Sequence, residues 1–505
     1  MIATGMPLTR TSRGPLARAA AVSALALAAG TASCAPPSTV GGVRAVAASS
    51  GGEWKAPAEA SRAPDHAPAP AMTVPARLST AQRDALTLVD IVAIALEQSP
   101  LTRATWLSAR SAAASYASAS GRWLPSLSFD ASAGPARAIS SNPAILPSDR
   151  TTTTATLSLQ YLLWDFGARG GTQQAAHEAL FAADFTHNST VQAVVLAAEG
   201  AYFNYQASRG LLDAARATVR TAQTNLAAAE RRHDVGLATI ADVLQARTAL
   251  AQSQLAAQTA EGNLESARAQ LALSAGLRAN APFEVVVDSG AAPLLALSEN
   301  VDSLIDRAMR DRPDVVAARA LARQSEAQVR VARSATLPTL SLGGTNGQSF
   351  SNIPALQGKT YGVSLGVSVP LFTGTSRDYD LAAAKENAAA AIARADQAQL
   401  LAASQVYSSY HALRTSTQRV STAADLLASA TQSEEVARGR YAEGVGSILD
   451  LLSAQSALAD ARAQSVQSRW TWYLALAQLA RDVGVLSPRG DNNLTLRPDT
   501  AGRTR

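Results

Sequence analysis

One cysteine among 505 residues, Cys34, excludes an intramolecular disulfide. Aromatic residues are scarce at 5% and charged residues few at 16%. Such a chain cannot fill a broad core with large side chains, but its abundant alanine lets helix backbones approach closely. No Lys- or Arg-rich run occurs. The net charge of +5 includes Arg10, Arg13 and Arg18, which lie in an N-terminal stretch without Asp or Glu, and removing these three leaves +2. Nucleic acid is therefore not an expected partner. His177, His187, His233 and His411 stand singly, with no His-x-x-x-His pair or cysteine beside them, so neither a metal nor a cofactor is expected. Gly167 to Gly171 follows a strand pattern and opens a helical one, yet lacks the Lys-Ser/Thr of a phosphate loop. No nucleophile–base set stands out, and the chain does not read as an enzyme.

What is present begins with an export signal. Basic residues up to Arg18 precede the apolar run Ala19 to Ala29, followed by small residues ending at Cys34. Residues 1–33 thus read as a signal peptide, too short to span as a mature helix. Thr31-Ala32-Ser33-Cys34-Ala35 resembles the lipobox of bacterial lipoproteins, which makes Cys34 a candidate lipidation site, although Thr31 stands where leucine is usual. Simple cleavage after Ala32 or Ala47 is the alternative. Residues 34–79, rich in Pro, Ala, Ser and Gly, read as a flexible tether, and 487–505 as a loose tail.

Between these ends the chain is written twice. Trp123-Leu124-Pro125-Ser126-Leu127-Ser128 is echoed by Thr336-Leu337-Pro338-Thr339-Leu340-Ser341. Likewise Leu237-Ala238-Thr239-Ile240-Ala241-Asp242-Val243-Leu244 is echoed by Val445-Gly446-Ser447-Ile448-Leu449-Asp450-Leu451-Leu452. A spacing of roughly two hundred residues means two copies of one unit, not a solenoid. The copies are assigned to 80–290 and 291–486.

Each copy holds one pair of alternating strands. Leu157, Leu159 and Tyr161 alternate with Ser158 and Gln160, and Val363, Leu365, Val367 and Val369 with Ser364, Gly366 and Ser368. Leu127, Phe129 and Ala131 alternate with serines and Asp130, as Leu340 and Leu342 do with Ser341 and Gly343. Period-two alternation gives one apolar and one polar face. A half-buried soluble sheet fits this pattern; so does the apolar-out wall of an outer-membrane barrel. The hairpin connections are placed at Pro135–Arg150 and Gly343–Lys359. Four strands cannot close a barrel, and open edges in lipid leave backbone groups unpaired. If the sheet lies in a membrane, several chains must pool their strands.

The helical pattern runs from Ala168 to Asp234, roughly 100 Å at 1.5 Å per residue, and again from Asp380 to Glu443. Half-length helices flank these: Leu88–Arg122, interrupted near Pro100; Ile240–Ala275; Val301–Ala335, broken at Pro313; and Ile448–Asp482. Heptad-like seams run through Ala201, Tyr205, Ser208, Leu212, Ala215, Val219, Ala222 and Leu226, and through Val406, Tyr410, Leu413, Thr417, Val420, Ala424, Leu427 and Thr431. Narrow seams suit staves in a wall better than a solid bundle.

In order and in duplicate, these features resemble the TolC family of outer-membrane efflux proteins over about Leu86 to Val485. The Leu-Pro-x-Leu strand starts, the strand ends Trp164-Asp165-Phe166-Gly167 and Leu371-Phe372-Thr373-Gly374, the aromatic pairs Tyr202/Tyr205 and Tyr407/Tyr410, and the two turn motifs carry the likeness. The resemblance implies a mainly α fold with a small membrane β-barrel portion. Four strands per chain would complete a twelve-stranded barrel in a homotrimer, above a long helical tunnel in the periplasm. It implies a passive exit duct in the outer membrane, served by a periplasmic adaptor and an inner-membrane RND or ABC pump. Type I protein secretion and heavy-metal export remain open on the same fold. A trimeric coiled-coil adhesin stalk is the rival of another class. By the resemblance, Val235, Gly236, Leu237, Gly444 and Val445 are adaptor-docking tips, and Asp242, Asp450 and Tyr441 belong to the periplasmic gate. Gly446 and Ser453 depart from the pattern, standing where an arginine and an aspartate are common. Read from the residues alone, Gly236 and Gly444 end helices, and Thr239, Ser447, Asp242 and Asp450 cap the returning ones.

Overall fold

The computed structural model describes residues 86–138, 148–286, 300–354 and 357–486, together with short strands at 39–40, 43–44, 295–297 and 496–498. The signal peptide, Cys34 and most of the tether and tail lie outside these. Thr39–Val40 pairs with Val43–Arg44 as a unit by itself.

In the main body the order is α1 (Leu88–Gln98), α2 (Pro100–Gly121), β1 (Ser126–Ala138), β2 (Ser148–Trp164), α3 (Ala168–Asp234) and α4 (Ile240–Ser274). The second copy repeats it as α5 (Val301–Asp311), α6 (Pro313–Ser334), β3 (Thr339–Ser351), β4 (Gly358–Ser368), α7 (Ser376–Ala442) and α8 (Ile448–Val483). Pro100 and Pro313 each open a helix, where a missing N–H costs nothing and φ is already helical. Each also ends the helix before it, because the preceding residue, Ser99 or Arg312, is extended. None of the described helices is long and apolar enough to cross a membrane.

The helices stand as staves. α3 packs against α2 and α6 along one part and against α4 and α8 along another, while α7 packs against α6 and α8. The half-length helices therefore stack end to end beside the two full-length ones. The main core gathers where the half-helices meet. Leu86, Ile91, Leu271, Leu304, Trp472, Leu479 and Val483 are almost fully buried there. Phe203, Trp470 and Tyr473 stack nearby, and Trp472 Nε1 donates to Thr417 Oγ1 at 3.0 Å. Arg312, 4% exposed, ties the joint together: it forks onto Asp314 at 2.7 and 3.0 Å, reaches the Asp482 carbonyl at 3.3 Å and touches Gln405.

The seam of α3 is buried or half-buried at every expected position. On α7 every expected position is buried or half-buried except Ala424, which is exposed, and Ser409, Ser416, Ala423 and Ala430, one residue before Tyr410, Thr417, Ala424 and Thr431, are the more deeply buried lane. Steps of three and four still hold. Small side chains at buried seam positions carry little signal in a hydrophobicity pattern.

The strands form one antiparallel sheet, β1-β2-β3-β4. They run further than apolar alternation suggests. The first ladder passes through Pro135, opposite Thr151, and the third through Gly347, opposite Thr360. The connections are thus shorter than Pro135–Arg150 and Gly343–Lys359. Thr151 to Thr154 and Gly343 to Ser351 are too polar to alternate visibly, yet their backbones complete the ladders, and pairing depends on backbone groups. β1 and β4 end the sheet with open edges, and all eleven positions of β4 are exposed. Register places Leu127, Phe129, Leu157, Leu159, Leu342, Val363, Leu365 and Val367 on one face. Ser126, Ser158, Gln160, Ser341, Ser364 and Gly366 share the other.

Candidate functional site

The two helix–helix turns, α3–α4 and α7–α8, are built alike. Gly236 and Gly444 adopt φ of +76° and +79°, which sharply ends each long helix. Thr239 and Ser447 then cap α4 and α8. Thr239 Oγ1 accepts from Asp242 N at 3.3 Å, and Asp242 Oδ2 accepts from Thr239 N at 2.8 Å. Ser447 and Asp450 form the same reciprocal pair at 3.1 and 3.3 Å. Asp242 and Asp450 are therefore both helix-capping groups, with one oxygen each committed to the turn. Thr239→Ala should cost about 1 kcal/mol locally and speed hydrogen exchange of the first α4 amides roughly fivefold. Unchanged protection there would remove the cap from the account.

The apolar residues of the turns face outward: Val235, Leu237 and Val445 are 68%, 70% and 69% exposed. Gly446 is explained by space. A Cβ there would lie 3.0 Å from Arg440 Cβ and 3.2 Å from Tyr441 N, while Gly446 N donates to the Arg440 carbonyl at 3.0 Å. Any larger side chain there would need the α7 end to give by a few tenths of an ångström. Ser453 lines a shallow groove with Asp450 and Arg440.

Tyr441 is brought to Arg232, a residue that the sequence did not single out. Arg232 Nη1 donates to the Tyr441 carbonyl at 2.6 Å and the Ala442 carbonyl at 3.4 Å, and its guanidinium lies 4.8 Å from the centre of the Tyr441 ring. This contact joins the end of α3 to the end of α7, 209 residues apart. Tyr441 is buried, and its hydroxyl has no hydrogen-bond partner among the described residues. Burial raises its pKa above the usual phenol value; Arg232 lowers it and Asp242 raises it further. A second cross-tie sits further along: Asn225 Nδ2 donates to Gln455 Oε1 at 2.5 Å, and Gln455 Nε2 to buried Glu434 at 3.3 Å. This chain links α3, α8 and α7 through amides, whose partners a single sequence does not reveal.

The outer membrane efflux protein family model matches residues 91–277 and 304–485, once per copy. Protein CyaE of Bordetella pertussis is 30% identical over 84% of this chain and 90% of its own length. The probable efflux pump outer membrane protein SepC of Pseudomonas putida is 28% identical over 68% of this chain and 71% of its own. In fold, the outer membrane protein VceC of Vibrio cholerae superposes with a TM-score of 0.71 at 20% identity, covering 79% of this chain and 96% of that one. With its duplicated staves, four-stranded sheet and doubled family match, the chain belongs to the outer membrane efflux protein family, as an exit duct of the outer membrane.

Proposed function

We propose that three copies of this chain pool their sheets into one twelve-stranded barrel and their staves into one periplasmic tunnel, through which small molecules leave passively. One observation carries this reading. Leu127, Phe129, Val363, Leu365 and Val367 are each 65% exposed or more, on a sheet with two open edges. Such a face needs lipid, and such edges need strands. β4 of one copy would pair with β1 of the next. Protein extracted in mild detergent should have the mass of a trimer by light scattering. A stable monomer that keeps its sheet would overturn the reading.

The tips are the proposed gate and docking points. Val235, Gly236, Leu237, Gly444 and Val445 present apolar surface to helices of a periplasmic adaptor, which couples the duct to an inner-membrane RND or ABC pump. Asp242, Asp450 and Tyr441 sit at the narrow end, where rings of carboxylates from three chains would favour cations. The intrachain latch is Arg232 on Tyr441. Cys34, if lipidated, would add a membrane anchor to the same assembly.

A further inference from the structure

We propose that Arg122 is an anion-attracting station in the wall of the conduit, at the level where sheet meets helices; this rests on the trimeric pore reading above. Arg122 closes α2 and is exposed. Together with Ser126, Gln160, Ser341 and Ser364 it lines a concavity of about 670 Å³. By the sheet register those four residues belong to the polar face, opposite the exposed leucines and valines. A barrel with its apolar face in lipid turns that concavity, and the arginine, inward.

The charge stands unopposed. Among the described residues Arg122 has neither an ion-pair nor a hydrogen-bond partner for its side chain. The surrounding polar face is hydroxyl, amide and glycine, and Asp130 lies four residues beyond Ser126 on β1. Four strand residues span about 13 Å, more than one Debye length at physiological salt. Asp130 therefore does not cancel Arg122 locally. Arg169, a neighbouring cation, is neutralised: its Nε lies 3.0 Å from Asp165 and its side chain is buried.

The duplication sharpens the assignment. By the repeat, the place of Arg122 in the second copy is held by Ala335, whose carbonyl accepts from Arg377. Arg377 shares its helix turn with exposed Asp378 and Asp380, which offset it in the field of the pore. Three chains thus present three guanidiniums without a charge partner in this concavity, whose lining does not include the exposed Arg333 of the second copy. Solutes bearing carboxylate, sulfonate or phosphate groups would be concentrated there as they pass from tunnel to barrel. A guanidinium fixed in a low-charge wall acts on each passing ion by ordinary Coulomb attraction, about 1 kcal/mol at contact distance in water.

The test reads the local field directly, so the tip does not mask it. A thiol is placed on the polar face by Ser126→Cys, with Ser341→Cys as the second site. The protein without either substitution sets the background, since Cys34 is its only native cysteine. Trimers in liposomes are treated from outside with a sulfonate and with a trimethylammonium methanethiosulfonate of similar size. With Arg122 present the sulfonate should react faster. Arg122→Gln should lower the sulfonate-to-ammonium rate ratio about two- to fivefold, and Arg122→Lys should preserve it. An unchanged ratio in Arg122→Gln overturns the proposal and leaves the pore standing. A thiol that neither reagent reaches at either site overturns the pore reading itself.

Discussion

Arg232→Ala should raise the conductance of the protein in planar bilayers severalfold. The substitution removes a charged hydrogen bond of 2.6 Å to the Tyr441 carbonyl and a guanidinium 4.8 Å from the Tyr441 ring. A hydrogen bond from a charged group contributes about 1.5–3 kcal/mol and an exposed cation–π contact about 0.5–1. A loss of about 2 kcal/mol shifts the ratio of open to closed tips roughly 30-fold in each chain. Tyr441→Phe is the discriminating control. The acceptor is the backbone carbonyl and the phenol hydroxyl has no partner among the described residues, so phenylalanine should keep the latch. If conductance is unchanged in Arg232→Ala, the two long helices are held at the tip by packing alone. If Tyr441→Phe opens the channel as much as Arg232→Ala, the hydroxyl finds a partner in the assembled trimer.

The contrast between Arg232 and its surroundings shows which information a single sequence carries. Helix ends are written locally. Pro100 and Pro313 start helices, Gly236 and Gly444 end them, and Thr239 with Asp242 announces a capping box, so these features were legible within a residue or two. Strands were legible only where one face is apolar. Before Ala155 on β2 and from Gly343 onward on β3 the polar sequence resembles a loop, and only the partner strand identifies it. Contacts across the duplication were not legible. Arg232 meets Tyr441, and Asn225 meets Gln455, because staves about two hundred residues apart stand side by side. On α7 the pattern found the half-buried Tyr410, Thr417 and Thr431 but not the fully buried small lane Ser409, Ser416, Ala423 and Ala430 beside them, because serine and alanine carry little hydrophobic signal.

Glu199 should make the protein less stable as pH rises towards neutrality. It is 6% exposed on α3, and burial raises its pKa from the ordinary carboxyl value of 4.5 to about 7. By helical spacing its neighbours on that side are Val195, Tyr202 and Gln206, and the Gln206 amide is already committed to Tyr202 Oη and the Val286 carbonyl. A folded-state pKa above the unfolded one means that the native state binds more protons between the two values. Below pH 4.5 the carboxyl is neutral in both states and costs little. As pH climbs from there to about 7 the unfolded chain ionises first, and stability falls; above about 7 the loss is complete and the curve flattens. At about 1.4 kcal/mol per pKa unit the loss between 4.5 and about 7 comes to about 3.5 kcal/mol per chain. Glu199→Gln removes the titration while keeping the side-chain volume. Its apparent melting temperature should match that of the parent at pH 4.5, exceed it at pH 8, and vary less in between. Equal slopes for the two proteins would show that Glu199 finds a positive partner or water in the trimer. In that case the middle of the long helix is better solvated in the assembly than in the single chain.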